Sequence, residues 1–112
     1  MPTIPHRFVY RDQLDAEIRS AVQNLGPEAV HVAYNIGEDS TGDPSIFFRI
    51  VLADSSIHEE TLSDMTWAIQ TTIMDQVMPI ENWGLHPYFN FRSESEHRSR
   101  IDPAWTMNGI SR

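Results

Sequence analysis

Apolar residues recur along the chain with two periods, and the switches between them mark the elements. Between Asp12 and Leu25, the residues Leu14, Ile18, Ala21, Val22 and Leu25 fall on one stripe of an α-helix. Asp12 can accept from the first unpaired amides, and Asp15 adds favourable charge at that end. Gly26-Pro27 stops the helix, because glycine tolerates the left-handed cap and proline cannot continue the ladder. The period then drops to two. Over Ala29–Ile36, Val30, Val32, Tyr34 and Ile36 point one way and His31, Ala33 and Asn35 the other. Over Ser45–Ala53, Ile46, Phe48, Ile50 and Leu52 share one face, with Phe47, Arg49 and Val51 opposite. The segment 37–44, GEDSTGDP, is rich in turn formers and joins the two strands as a hairpin.

The helical period returns with Leu62, Met65, Ile69, Ile73 and Val77. Ser56-Ile57-His58-Glu59 matches the S-x-x-E capping box and predicts a second helix over Ile57–Met78, ended by Pro79. A third strand is expected over His86–Arg92, with Tyr88 and Asn90 on one face and Phe89 and Phe91 on the other. Pro87 places it at an edge or a strand start. Residues 93–112 show no sustained period and read as an extended or partly ordered tail, with Ile101, Trp105 and Ile110 as anchors.

The expected fold is therefore α+β: two helices packed on one face of a small, mostly antiparallel sheet, in the order αββαβ. A strand at residues 5–10 would make it βαββαβ, which is ferredoxin-like. Residues 1–92 form a single domain in this reading, and 93–112 its tail. The outer face of the sheet is half apolar, mixing Ala33, Phe47 and Val51 with His31 and Arg49, where a solvated face would alternate to polar residues. A protein interface explains this. Folding back of the tail is the other cover the sequence offers.

The chain has 112 residues, with 40% hydrophobic and 21% charged, which suits one globular core. Its net charge is −8, and residues 38–82 hold a single base, Arg49. An acidic body repels phosphates, so broad nucleic-acid binding is not expected. All eight bases are arginine and cysteine is absent, which excludes disulfides and thiolate metal sites. No apolar run is long enough to span a membrane. The start, MPTIPHRFVY, has no signal-peptide pattern, so a cytoplasmic location is expected.

No cofactor fingerprint, phosphate loop or nucleophile elbow occurs, and neither a cofactor nor a metal is expected. His58-Glu59-Glu60 lacks the second histidine of a zinc helix. The element order resembles that of the type II KH module, but the G-x-x-G clamp of that module is missing from this chain. Gly42-Asp43-Pro44-Ser45-Ile46-Phe47-Phe48-Arg49 and the run PYFNFRSESE over 87–96 resemble a family of small bacterial proteins to which no activity is attached. The resemblance covers roughly residues 25–96. It implies a bacterial origin and, by analogy, a small acidic protein encoded beside a larger partner, as in antitoxin or defence operons.

Two functions follow as expectations. The first is a non-enzymatic protein-binding module, self-associating or acting as the small partner in a bacterial two-protein system. Phe47, Arg49, Tyr88, Asn90 and Arg92 are its contacts, and the arginine-bearing tail is a movable arm. The edge strand in this reading adds to another chain's sheet. The second is a small enzyme or anion-binding domain using Asp39, Asp43, His31 and Arg49 at one end of the sheet.

Overall fold

The computed structural model describes residues 11–112. Four helices and four strands follow in the order α1 (Arg11–Gln23), β1 (Ala29–Glu38), β2 (Pro44–Leu52), α2 (Leu62–Val77), α3 (Pro79–Trp83), β3 (His86–Ser93), α4 (Glu94–Ser99) and β4 (Ile110–Ser111), with 3-10 turns at Asp54–Ser56 and Pro103–Trp105. The fold is α+β, and the αββαβ core has the expected order. A strand at 5–10 lies outside the described residues.

The sheet runs β3-β2-β1-β4. β1 pairs antiparallel with β2 and with β4, while β2 and β3 run parallel. The parallel pair follows from the chain path: α2 and α3 carry the chain back before β3 starts, which a hairpin cannot do. Among the described residues β3 ends the sheet, so Pro87 sits on an edge strand there.

The core lies between the sheet and the helices. Leu14, Ile18, Ala21 and Val22 of α1 meet Ile69, Ile73 and Val77 of α2 and the row Ile46, Phe48, Ile50 and Leu52 of β2, with Phe89 and Phe91 packed at the margin. In β1 the inner positions are Ala29, Val32 and Tyr34, because the register with β2 shifts between Ala29 and His31. That irregularity turns Ala29 inward in place of the expected Val30. Tyr34 reaches past the core to donate to Asp15 of α1, which also accepts from Arg19 at 2.7 Å. Burial, followed by the bond to Asp15, pushes the Tyr34 hydroxyl well above its ordinary pKa.

Two local expectations fail. The Ser56–Glu59 capping box does not form: Ser56 donates to the Ala53 carbonyl within its 3-10 turn, and the helix begins at Leu62. The competing contact is Asp54, which accepts from the backbone and side chain of Ser95 at 3.1 and 2.6 Å and from Arg98 at 3.2 Å. These bonds commit the connection to α4. The capping box that does form is Ser93–Glu96, at the start of α4.

Phe48 is fully buried and stacks on Phe89 with ring centroids 5.1 Å apart. Phe48→Ala is expected to destabilise the protein by about 3–5 kcal/mol in urea unfolding, as other large-to-small changes in a packed core do. A loss below about 1 kcal/mol would place the core elsewhere.

Candidate functional site

The outer face of the sheet divides into a covered half and an open half. Residues 94–112 fold back over the end of the sheet that carries His31, Ala33, Val51 and Arg92. Ala33 and Val51 are buried beneath them, although their strand face points away from the helices. The segment is tied down in several places. Ile110 and Ser111 pair with Val32 and His31. The Tyr34 amide donates to the Met107 carbonyl at 3.1 Å, and Asn108 donates to the Tyr34 carbonyl at 2.9 Å. Arg112 reaches the carbonyls of Leu25, Gly26 and Ala29 at 2.6–2.9 Å, placing a cation at the C-terminal end of α1, where the helix dipole favours one. Gly109 allows the close approach. A Cβ there would lie 2.8 Å from the His31 ring and 2.9 Å from the Thr106 carbonyl oxygen.

Beneath this cover, Arg92 is 7% exposed, with the Trp105 ring over its guanidinium at 4.1 Å. Its Nη2 donates to His97 Nδ1 at 2.6 Å. No carboxylate pairs with it among the described residues, and its buried Nε has no hydrogen-bond partner. The cation is held by an aromatic face and a neutral imidazole. Arg92 points under the tail, away from the partner surface on which it was expected, while Glu96 caps α4. The hydrogen bonds also fix one tautomer. His97 accepts at Nδ1 and so carries its proton on Nε2. His31 donates from Nε2 to the Trp105 carbonyl at 3.1 Å, and its Nδ1 lies 3.3 Å from the Ser111 hydroxyl. The two rings stack at 5.5 Å.

The open half carries the remaining predicted contacts. Phe47 and Tyr88 stack with centroids 5.4 Å apart and an interplanar angle of 16°. Arg49 lies 5.9 Å from the Phe47 ring centre and donates to Asn35. Tyr88 donates to Asp39 at 2.7 Å, which ties the hairpin loop across β2 to β3. Asn90 is exposed beside them. Phe47, Arg49, Tyr88 and Asn90 therefore form one surface, and Arg92 is the member the tail removes from it. The tail is docked rather than projecting, because Arg98 and Arg112 bind Asp54 and backbone carbonyls. Ile101, expected as an anchor, is fully exposed, whereas Trp105 and Ile110 pack down.

The four residues of the enzyme reading do not converge. Asp39 and Asp43 sit at the hairpin, while His31 lies near the opposite end of β1, roughly 26 Å of strand away at a rise of about 3.3 Å per residue. Arg49 lies between them, engaged by Asn35. Asp39 accepts from the Thr41 hydroxyl at 2.6 Å, from Tyr88 and from the Thr41 and Asp43 amides, and these bonds hold its carboxyl far below its usual range. A carboxylate held this way is an anchor for the turn and a poor proton acceptor.

The helix side of β3 carries a feature that no sequence motif announced. A groove of ≈ 430 Å³ runs between α2 and β3, lined by Trp67, Thr71, Met74, Asp75, Pro87 and Phe89. Trp67 is 70% exposed. Its signal in the sequence is its position off the stripe of Leu62, Met65, Ile69, Ile73 and Val77. Comparison with protein-family models and with curated proteins gives no match. The described residues hold no cluster of three or more histidines and carboxylates placed to bind a metal, and no described helix is long and apolar enough to cross a membrane.

The tail lock is acid-sensitive. Burial, with the charge of Arg92 and the neighbouring His31, lowers the pKa of His97 from its ordinary 6.5. The unfolded chain takes up this proton before the folded one. The stability supplied by neutral His97 is therefore complete above pH 6.5 and is lost as pH falls below it. Thermal melts should show the midpoint dropping as pH falls below 6.5. In His97→Gln, which accepts from Arg92 without titrating, that part of the pH dependence should be flattened. An equally steep decline in the variant would locate the acid sensitivity elsewhere.

Proposed function

We propose that this protein is a non-enzymatic protein-binding module that recruits its partner by strand addition at the open edge of β3. One observation carries the reading: among the described residues β3 is an eight-residue edge strand with apolar and aromatic groups on both flanks. Trp67, Met74 and Phe89 flank it on the helix side, and Tyr88 and Phe47 on the outer side. Edge strands that avoid pairing are normally short, charged, interrupted by proline or covered; in β3 the one proline, Pro87, stands at the second position and leaves the rest of the strand free of these devices. The far edge of the sheet is covered, since β4, Met107 and Asn108 occupy β1. An added strand on β3 gains main-chain hydrogen bonds, and its alternate side chains reach the groove on one face and the Tyr88 surface on the other.

The partner is a protein: a second copy of this chain, or the larger member of a bacterial two-protein system in which this chain is the small acidic component. A cytoplasmic setting belongs to the same proposal. The dispersal of Asp39, Asp43, His31 and Arg49 and the engagement of Asp39 weigh against the enzyme reading.

Purification of the tagged chain from its native host, with the wild type and a Trp67→Ala/Asn90→Lys variant side by side, tests the reading. Both substituted positions are exposed, so the variant should keep the wild-type melting behaviour. Recovery of the bound protein, untagged copies of the chain included, is expected to fall about tenfold, equivalent to about 1.4 kcal/mol. Equal recovery with both proteins, or none with either, contradicts the reading.

A further inference from the structure

We infer that the occupant of the β3 edge is a second copy of this chain, paired antiparallel to β3 about a two-fold axis through Phe89. The inference rests on the protein-binding reading above and names its partner. Charge is the first argument. The chain carries −8 overall, with sixteen acidic residues, yet none lies between Glu81 and Glu94. β3 falls inside that gap. The acids beside β3 are Asp39, which accepts from Tyr88 at 2.7 Å, and Asp43, 4.0 Å from His86; β3 itself contributes none. A stretch without carboxylates is where two equally acidic molecules can approach with least repulsion. Asp75 is the one acid in the groove lining.

Register is the second argument. Directly opposite residues of an antiparallel pair share a face. A two-fold axis through Phe89 sets Tyr88 opposite the partner's Asn90 on the outer face, and Phe89 opposite the partner's Phe89 on the inner face. Pro87 then meets the partner's Phe91. Every inner pair is apolar, and the two grooves with their exposed Trp67 side chains meet along the joint. Pro87 sets the hydrogen-bonding phase and costs the joint one bond at each end, because it offers no N–H to the carbonyl of the partner's Phe91. A proline is tolerated on an edge strand when the side lacking its N–H faces away from the sheet, and alternation then turns the amides of Phe89 and Phe91 outward. Phe89 and its mate become a hydrogen-bonded pair. Tyr88 and the partner's Asn90 become the non-bonded, closer kind, whose Cβ atoms lie within about 5 Å, against roughly 7–8 Å for Tyr88 and its own counterpart. The product is one continuous eight-stranded sheet.

The test uses the full chain. Light scattering on the wild type is expected to give twice 12.9 kDa, with dissociation weakened as salt is raised, because screening relieves repulsion between two acidic bodies. Asn90→Lys, which puts a charge on the joint, is expected to weaken the dimer about tenfold. The chain has no cysteine, so single-cysteine variants report geometry directly. When Tyr88→Cys and Asn90→Cys proteins are mixed and oxidised, the mixed 88–90 disulfide is expected to outnumber both 88–88 and 90–90 products. A monomer at high salt, a dimer indifferent to Asn90→Lys, or a dimer in which 88–88 or 90–90 products dominate overturns the inference. If the wild type is a monomer while edge-dependent co-purification from the host persists, the second copy is wrong and the binding-module reading stands. If both fail, both fall.

Discussion

The structure depends on a sheet that must be shielded on two sides by a chain with helices enough for one. α1 and α2 cover the inner face. The outer face is closed at one end by the interlock of Arg92, Trp105 and His97, in which a guanidinium loses its water and gains an aromatic ring and an imidazole nitrogen in return. A buried cation with no carboxylate is a poor source of net stability. Its value here is positional. Arg92 sits at the end of β3 and Trp105 in the returning segment, so their contact sets where the tail crosses the sheet. Arg112, on the carbonyls that follow α1, sets where it ends. Burial of Ala33 and Val51, completion of β1 by β4, and the His31–His97 stack all follow from that crossing.

The cover stops short of β3. The returning segment spends its residues on β1 and on the end of β2, and leaves Phe47, Tyr88 and Asn90 open beside an edge with unused amides. On the other side, α2 stands far enough from β3 to leave a groove, with Trp67 at its rim. The same economy that seals one edge leaves the other as the place where the molecule is unfinished. The proposed association there would complete the sheet without disturbing the tail, so that folding and binding would use separate parts of the surface.

Much of this was legible in the chain. The row Ile46, Phe48, Ile50 and Leu52 marked the inner face of β2 because period-two alternation leaves a single choice once one face is apolar. Pro87 marked an edge because it cannot donate to a neighbour on both sides. What escaped was decided by contacts between distant segments. Val30 and Ala29 are both apolar, so the register irregularity that exchanges them left no trace. Ser56–Glu59 and Ser93–Glu96 are equally good capping boxes as strings, yet Ser56 turns to the Ala53 carbonyl while Ser93 caps α4. The tail has no period because its anchors, Trp105, Asn108, Ile110 and Arg112, each answer to a different partner rather than to a common face. Arg92 looked like a surface contact for the same reason: its burial is conferred by residues thirteen positions further on. The proposed binding site divides along the same line. Its strand residues Phe47, Arg49, Tyr88 and Asn90 could be named from alternation, whereas Trp67 entered only when α2 was set beside β3.

In the proposed dimer the outward amides of β3 acquire partners when two molecules meet. Amide hydrogen exchange on the wild-type protein, followed as its concentration is raised, measures this residue by residue. Phe89 and Phe91 are expected to slow with concentration while the amides of β1 and of α4 keep their rates. Exchange at Phe89 and Phe91 that is independent of concentration, or slowing spread evenly over the sheet, would contradict it.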